Sequence, residues 1–134
     1  MAQNAAAEVV LKFFELSAAG DMDSCFDLLA DELTWTNIGS TRFSGTFTGK
    51  EAVINDLVGP LFGALKDGIA TTIDRVISEG DTVVVLQRGR SETHAGLAYN
   101  NDYAQVFTVQ GGLITAVKEY MDTALVDAVF GPAQ

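Results

Sequence analysis

The sequence predicts a single α+β domain over residues 1–134. Apolar segments of helical period fill the first half, β-rich runs fill the second, and no repeat or linker divides them. A chain of 134 residues is long enough to bury its own core. In the first segment Val9, Val10, Phe13, Phe14 and Leu16 follow helical spacing and Gly20 closes the run, which makes an amphipathic helix with a glycine stop. Asp21 opens a short second helix with Cys25, Phe26, Leu28 and Leu29 on its apolar side. "LTWTNI" reads as a strand, and "TRFSGTFTG" as turns leading into a short strand. "GKEAVINDLVGPLFGAL" is a third helix, loosened near Gly59 and Pro60. From residue 71 onward four β-rich runs follow, separated at Gly80-Asp81, Ala95-Gly96 and Gly111-Gly112. "TALVDAVFG" closes as a short helix or turn. Helices first and a meander afterwards place three helices on one face of a mainly antiparallel sheet, with Val9, Phe13, Phe26, Leu29 and Phe62 beneath them.

Charge removes several partners. With 18 acidic and 8 basic residues the net charge is -10, the wrong sign for a nucleic-acid backbone or an anionic membrane surface. Cys25 is the single cysteine and His94 the single histidine, so an internal disulfide is impossible and a structural zinc site is not expected. Glu8, Lys12 and Glu15 interrupt the first segment, which therefore reads as neither signal peptide nor membrane span. A cytoplasmic location is the expectation, and no metal or cofactor is implied.

One stretch raises a question of chemistry. In "QRGRSETHAG" Arg88, Arg90, Glu92 and His94 occupy every second position, so on a strand they share one face. That face is either solvated or turned into a pocket. On the following run the odd positions Tyr99, Asn101, Tyr103, Gln105 and Phe107 likewise share a face. Asn37 is unfavourable on a strand, and a reason for it is expected.

The order of elements, the "GD" after the first helix, "GKEAV" opening the third and the closing "FTVQGGLITAVKEYMD" resemble the NTF2-like superfamily, in its SnoaL-like, limonene-epoxide-hydrolase and ketosteroid-isomerase branches. The resemblance implies a cone: a bent sheet covered by three helices, with a pocket at the wide end for a small, mainly apolar molecule. The isomerase pattern fails at two positions. Its tyrosine falls on Phe13 and its aspartate base on Asn37, and neither residue has the chemistry required. The epoxide-hydrolase pattern places Trp35 at its tyrosine, Asn37 at its asparagine and Glu119 at its second carboxylate. Its remaining arginine and aspartate fall on Arg88 and Arg90, or on Leu86 and Arg88, depending on the length of one hairpin. Either way the first carboxylate is missing.

The resemblance thus implies a site in which Glu119 moves a proton while Arg88 or Arg90 stabilises an oxyanion. Trp35, Asn37, Asn101, Tyr103 and Phe13 would bind substrate, with Asp122 at the rim. Two buried arginines facing one carboxylate would need an anionic ligand. Isomerisation, cyclisation or dehydration would fit. Two alternatives stand beside it: epoxide hydrolysis with altered residues, and a non-catalytic binding module marked by a closed or wholly apolar pocket with the arginines in solvent. The resemblance also implies a homodimer paired through the outer sheet face, with Thr108, Lys118 and Tyr120 as candidates.

Overall fold

The computed structural model describes residues 4–134. Asn4 caps α1 (Ala5–Ala18) by accepting a hydrogen bond from the Ala7 amide, and Asp21 caps α2 (Met22–Asp27) through the Ser24 amide. Strands β1 (Leu29–Asn37) and β2 (Gly45–Thr48) follow, then α3 (Lys50–Ala52), a π-helical stretch (Val53–Val58) and α4 (Gly59–Ala64). Four longer strands come next: β3 (Ala70–Glu79), β4 (Thr82–Arg90), β5 (Asn101–Gln110) and β6 (Leu113–Met121). α5 (Thr123–Phe130) ends the fold.

All six strands form one curved, unclosed sheet in the order β2-β1-β6-β5-β4-β3. Every pairing is antiparallel except β1 with β6, which is parallel. α1 lies across β3 to β6, and Phe13, Phe14 and Phe107 form an edge-to-face cluster beneath it, with centroids 5.7–6.2 Å apart. Val10, Leu33, Val53, Val83, Val85 and Phe107 are the fully buried centre of the core. No helix among the described residues is long and apolar enough to cross a membrane.

The loosening expected at Gly59-Pro60 takes a specific form. Pro60 has no amide hydrogen and its ring crowds the carbonyl four residues back. The preceding turn widens to π geometry, and the Gly59 amide reaches the Ile54 carbonyl instead. Along this turn and the helix after it the buried side chains are Val53, Leu57 and Leu65, with Leu61 partly covered. Phe62 then faces outward at 39 % exposure, which corrects its expected place in the core. Leu29 is buried as expected, while Val9, Phe13 and Phe26 are partly covered and pack against the core.

This packing makes a paired prediction. Leu57→Ala should cost about 2–5 kcal/mol in chemical denaturation, whereas Phe62→Ser should stay within about 0.5 kcal/mol of the wild type. Equal losses would mean that the register of the π turn differs from the one described.

Candidate functional site

The site is built across four strands. Gln105 on β5 pairs with Glu119 on β6, and Glu119 pairs with Asn37 on β1, so the three side chains lie in one row on the concave face. Gln87 on β4 adjoins the row. Its amide donates to the Gln105 carbonyl oxygen, and the Gln105 amide in turn donates to Glu119 Oε1. The chain of donors has a direction, and it ends on the carboxylate. Burial raises the Glu119 pKa from 4.5 to about 7, and the bond from Gln105 offsets only part of that rise.

Asn37 is buried and fixed at both ends. It accepts from Trp35 Nε1 at 3.1 Å and donates to the Phe43 carbonyl at 2.8 Å. The unfavourable strand residue therefore ties β1 to the loop that crosses the open end of the cone. Asn101, 2 % exposed, is a second anchor. Its side chain bonds both the amide and the carbonyl of Asp122, holding the start of α5, and its Nδ2 also donates to the Tyr99 hydroxyl at 3.1 Å. Tyr103 donates to the same hydroxyl at 3.3 Å. Gly89 makes room for the Tyr103 ring, since a Cβ there would meet Tyr103 Cε2 and Ile69 Cγ2 at 2.9 Å. Desolvation raises the pKa of both phenols, with the Glu119 charge adding to the rise, so both stay protonated.

These groups surround a cavity of about 30 Å³. Asn37, Thr41, Tyr99, Tyr103 and Glu119 give its polar lining, and Phe43, Leu61, Met121 and Val126 its apolar lining. None of the nine is basic. The roof is latched by contacts between loop and C-terminus: Arg42 Nη1 donates to the Phe130 carbonyl at 2.5 Å, Thr41 bridges to Pro132, and Phe130 stacks edge-on against Phe43 and Tyr99 at 5.2 and 4.9 Å.

The expected residues divide cleanly. Glu119, Asn37 and Tyr103 meet at the cavity, while Trp35 and Asn101 stand directly behind it, each hydrogen-bonded to a residue of the lining. Phe13 belongs to the core under α1 and does not reach the cavity. Asp122 is exposed and caps α5 by accepting from the Leu125 amide, a structural role. The arginines require a correction. Val83, Val85, Gln87 and Gly89 are the buried alternates of β4, so Arg88 and Arg90 point outward. Arg88 is held there by Asp74 across β3, with Nη2–Oδ1 at 2.9 Å and Nε–Oδ2 at 3.0 Å. Glu92 and His94 are exposed as well. The opposite phase of the same stretch carries the site, through Gln87 and Gly89.

Residues 10–117 match the SnoaL-like domain family, and the chain belongs to that family. No curated protein matches it. Among solved structures it is similar to an NTF2-like protein of unknown function from Burkholderia pseudomallei, at 19 % identity and a TM-score of 0.84 over 95 % of this chain and 98 % of that one. It is also similar to a proposed SnoaL-like polyketide cyclase from Jannaschia, at 16 % identity and 0.82 over 98 % and 97 % of the two chains. A third similar structure is TerC co-crystallised with polyporic acid, at 19 % identity and 0.81 over 94 % and 98 %. At these identities the likeness speaks for the fold.

The carboxyl at the centre of the site carries a pH signature. Its folded pKa of about 7 lies above the ordinary 4.5, so the folded state holds this proton more tightly than the unfolded chain. The associated stability is present in full below about pH 4.5 and is lost as pH rises through about 7. Glu119→Gln removes that dependence. In urea denaturation the variant should gain on the wild type by up to about 3 kcal/mol between acid and mildly alkaline pH, at about 1.4 kcal/mol per tenfold change in proton affinity. A difference that stays flat with pH would mean that the carboxyl is not held in this environment.

Proposed function

We propose that the protein is a small-molecule acid–base enzyme of the isomerase, cyclase or dehydratase type, acting on a neutral, mainly apolar substrate, with Glu119 as the group that moves the proton. The carrying observation is Glu119 itself: a carboxyl in a cavity of mixed polar and apolar lining, without a counter-charge among the described residues, whose pKa of about 7 suits it both to take and to return a proton near neutrality. With Arg88 and Arg90 outside, nothing in the lining favours an anionic ligand, so the earlier expectation of an anion becomes one of a neutral substrate. A neutral molecule enters beside the protonated or ionised carboxyl without adding a second buried charge. The fold shared with a proposed polyketide cyclase is compatible with this class of chemistry.

Substrate needs more room than about 30 Å³, since ligand sites usually span about 300–1,000 Å³. In this reading the space comes from parting the Phe43–Phe130 latch. The outward arginines also favour a second reading, a non-catalytic binding module. Glu119 separates the two, because a binding wall has no need of a partly buried carboxyl that lacks a cationic partner. Epoxide hydrolysis has less support: the buried positions of β4 and β5 nearest Glu119 are the amides Gln87 and Gln105, which supply no second acid.

The test is exchange of α-hydrogens for deuterium in a panel of small cyclic ketones, followed by NMR. Wild type and Arg88→Met should accelerate exchange equally, and Glu119→Gln should abolish it. Loss with the arginine variant, or retention with the glutamine variant, sinks the reading.

We further propose that the protein is a homodimer paired through the outer sheet face. Ile77, Val84, Val106 and Lys118 form one continuous row there, and Tyr120 lies beside it; Ile77 and Tyr120 are 45 % and 40 % exposed. Sedimentation at micromolar concentration should give twice 14.2 kDa, and Val84→Glu should give the monomer. A monomeric wild type refutes the pairing.

A further inference from the structure

The arginines expected to stabilise an oxyanion face solvent, which leaves that role open. We propose that Tyr99 fills it: its phenol donates to the carbonyl oxygen of a neutral, enolisable substrate, and Tyr103 and Asn101 are the residues that position it. The proposal rests on the acid–base reading of Glu119 and adds the substrate class and the second catalytic group.

A phenol oxygen has one hydrogen to give and two lone pairs to fill. Tyr99 receives Asn101 Nδ2 at 3.1 Å and the Tyr103 hydroxyl at 3.3 Å, so both lone pairs are taken. Asn101 cannot act the other way, because its Nδ2 is a donor and its Oδ1 already accepts from the amides of Asp102 and Asp122. Tyr103 spends its proton on Tyr99. Among the described residues no acceptor takes the Tyr99 proton, although the residue is 4 % exposed. A buried hydroxyl that accepts twice and donates to nothing is an unfinished hydrogen bond. Tyr99 and Glu119 line the same cavity, so an oxygen atom placed there completes the bond within reach of the carboxylate.

The arrangement is preorganised. Asn101 fixes the hydroxyl and is itself locked onto the backbone of Asp122. Tyr103 is seated over Gly89, which leaves room for its ring. Two incoming hydrogen bonds polarise the outgoing O–H and strengthen it as a donor. In the reaction Glu119 takes the proton from the carbon next to the carbonyl. The C–H electron pair becomes the C=C bond of the enolate, and the carbonyl π pair moves onto the oxygen, where Tyr99 meets the new charge. Glu119 then returns its proton to carbon, at the original position or at a conjugated one. Atoms and electrons balance with no outside reagent. Tyr99 keeps its own proton throughout, because its burial favours the neutral phenol.

The experiment uses cyclopentanone labelled with carbon-13 at the carbonyl, read in two ways: the infrared C=O stretch of the bound ketone, and exchange of its α-hydrogens. In the wild type the stretch should fall below its value in hydrocarbon solvent, and the fall should persist in Glu119→Gln, which no longer exchanges. Tyr99→Phe should lose the downshift and lower kcat by about 10²–10³-fold with little change in KM, the size found when one oxyanion donor is removed. Tyr103→Phe leaves Tyr99 in place with one fewer donor behind it, so its downshift and its loss of kcat should both be smaller. That ordering serves as the test even if Tyr99→Phe folds poorly. A wild-type stretch with no downshift at saturating ketone, a downshift that survives Tyr99→Phe, or a Tyr103→Phe loss larger than that of Tyr99→Phe overturns the proposal. A Tyr99-dependent downshift without any exchange supports Tyr99 as donor and refutes the acid–base reading instead.

Discussion

Everything at the wide end of this fold answers to one constraint, a carboxyl held on the inner face of a sheet with no positive charge among the described residues to meet it. Such a group is costly unless its oxygens are hydrogen-bonded or its proton is retained. Gln105 provides the hydrogen bond and Gln87 supports Gln105, so two amides occupy inner positions where an ordinary sheet would place Val or Ile. Amides polarise and orient the carboxyl without neutralising it. An arginine in either place would have formed an ion pair and pulled the Glu119 pKa down, away from neutrality. The polar row thus keeps the carboxyl adjustable, and the apolar core behind it, from Val83 and Val85 to Phe107 and Val117, keeps water from doing the same work.

The two asparagines extend the same logic outward. Asn37 bonds the loop over the cavity, and Asn101 bonds the start of α5. Each is buried, each connects a strand of the rigid floor to a piece of the roof, and each also contacts an aromatic group at or behind the lining. A side-chain amide can serve a donor and an acceptor at once, which no hydrophobic residue and no carboxylate does. The roof is held by different means: edge-on rings at Phe43, Tyr99 and Phe130, one arginine on a backbone carbonyl, and a single bridge at Pro132. These contacts are few and near the chain end, where local opening costs least.

Most of the fold was legible in the sequence, because helical and strand periods and glycine stops report local geometry directly. Phe62 escaped because the period of its helix changes at Pro60. A π turn advances the face by an extra residue, and an unbroken helical count does not register it. The site was legible in part. Glu119, Asn37 and Tyr103 came from position within a resembling family, while Tyr99 was grouped with Asn101 and Tyr103 by alternation alone and, in the structure, precedes β5. The arginines were misplaced for a physical reason. On β4, Val83 and Val85 compete with Val84 and Leu86, so both phases of the strand carry apolar residues and alternation does not choose between them. Two arginines at alternate positions then look like a constellation, while the glutamine and glycine of the other phase look like filler.

What settles the phase is volume and charge together. Tyr103 needs the space above a residue without Cβ, and on β4 only Gly89 offers it. Placing Gly89 inward sends Arg88 outward, where Asp74 stands across β3 and Asp102 lies opposite on β5 to receive the charge. The reverse phase would bury two guanidinium groups against one carboxyl and leave Tyr103 colliding with an arginine stem. A one-residue slip therefore costs a buried unpaired charge and a lost aromatic seat at the same time. The glycine between the two arginines thus fixes the chemistry of the cavity: it admits the Tyr103 ring, the ring supports the Tyr99 hydroxyl, and that hydroxyl faces Glu119 across a space with no cation in its lining.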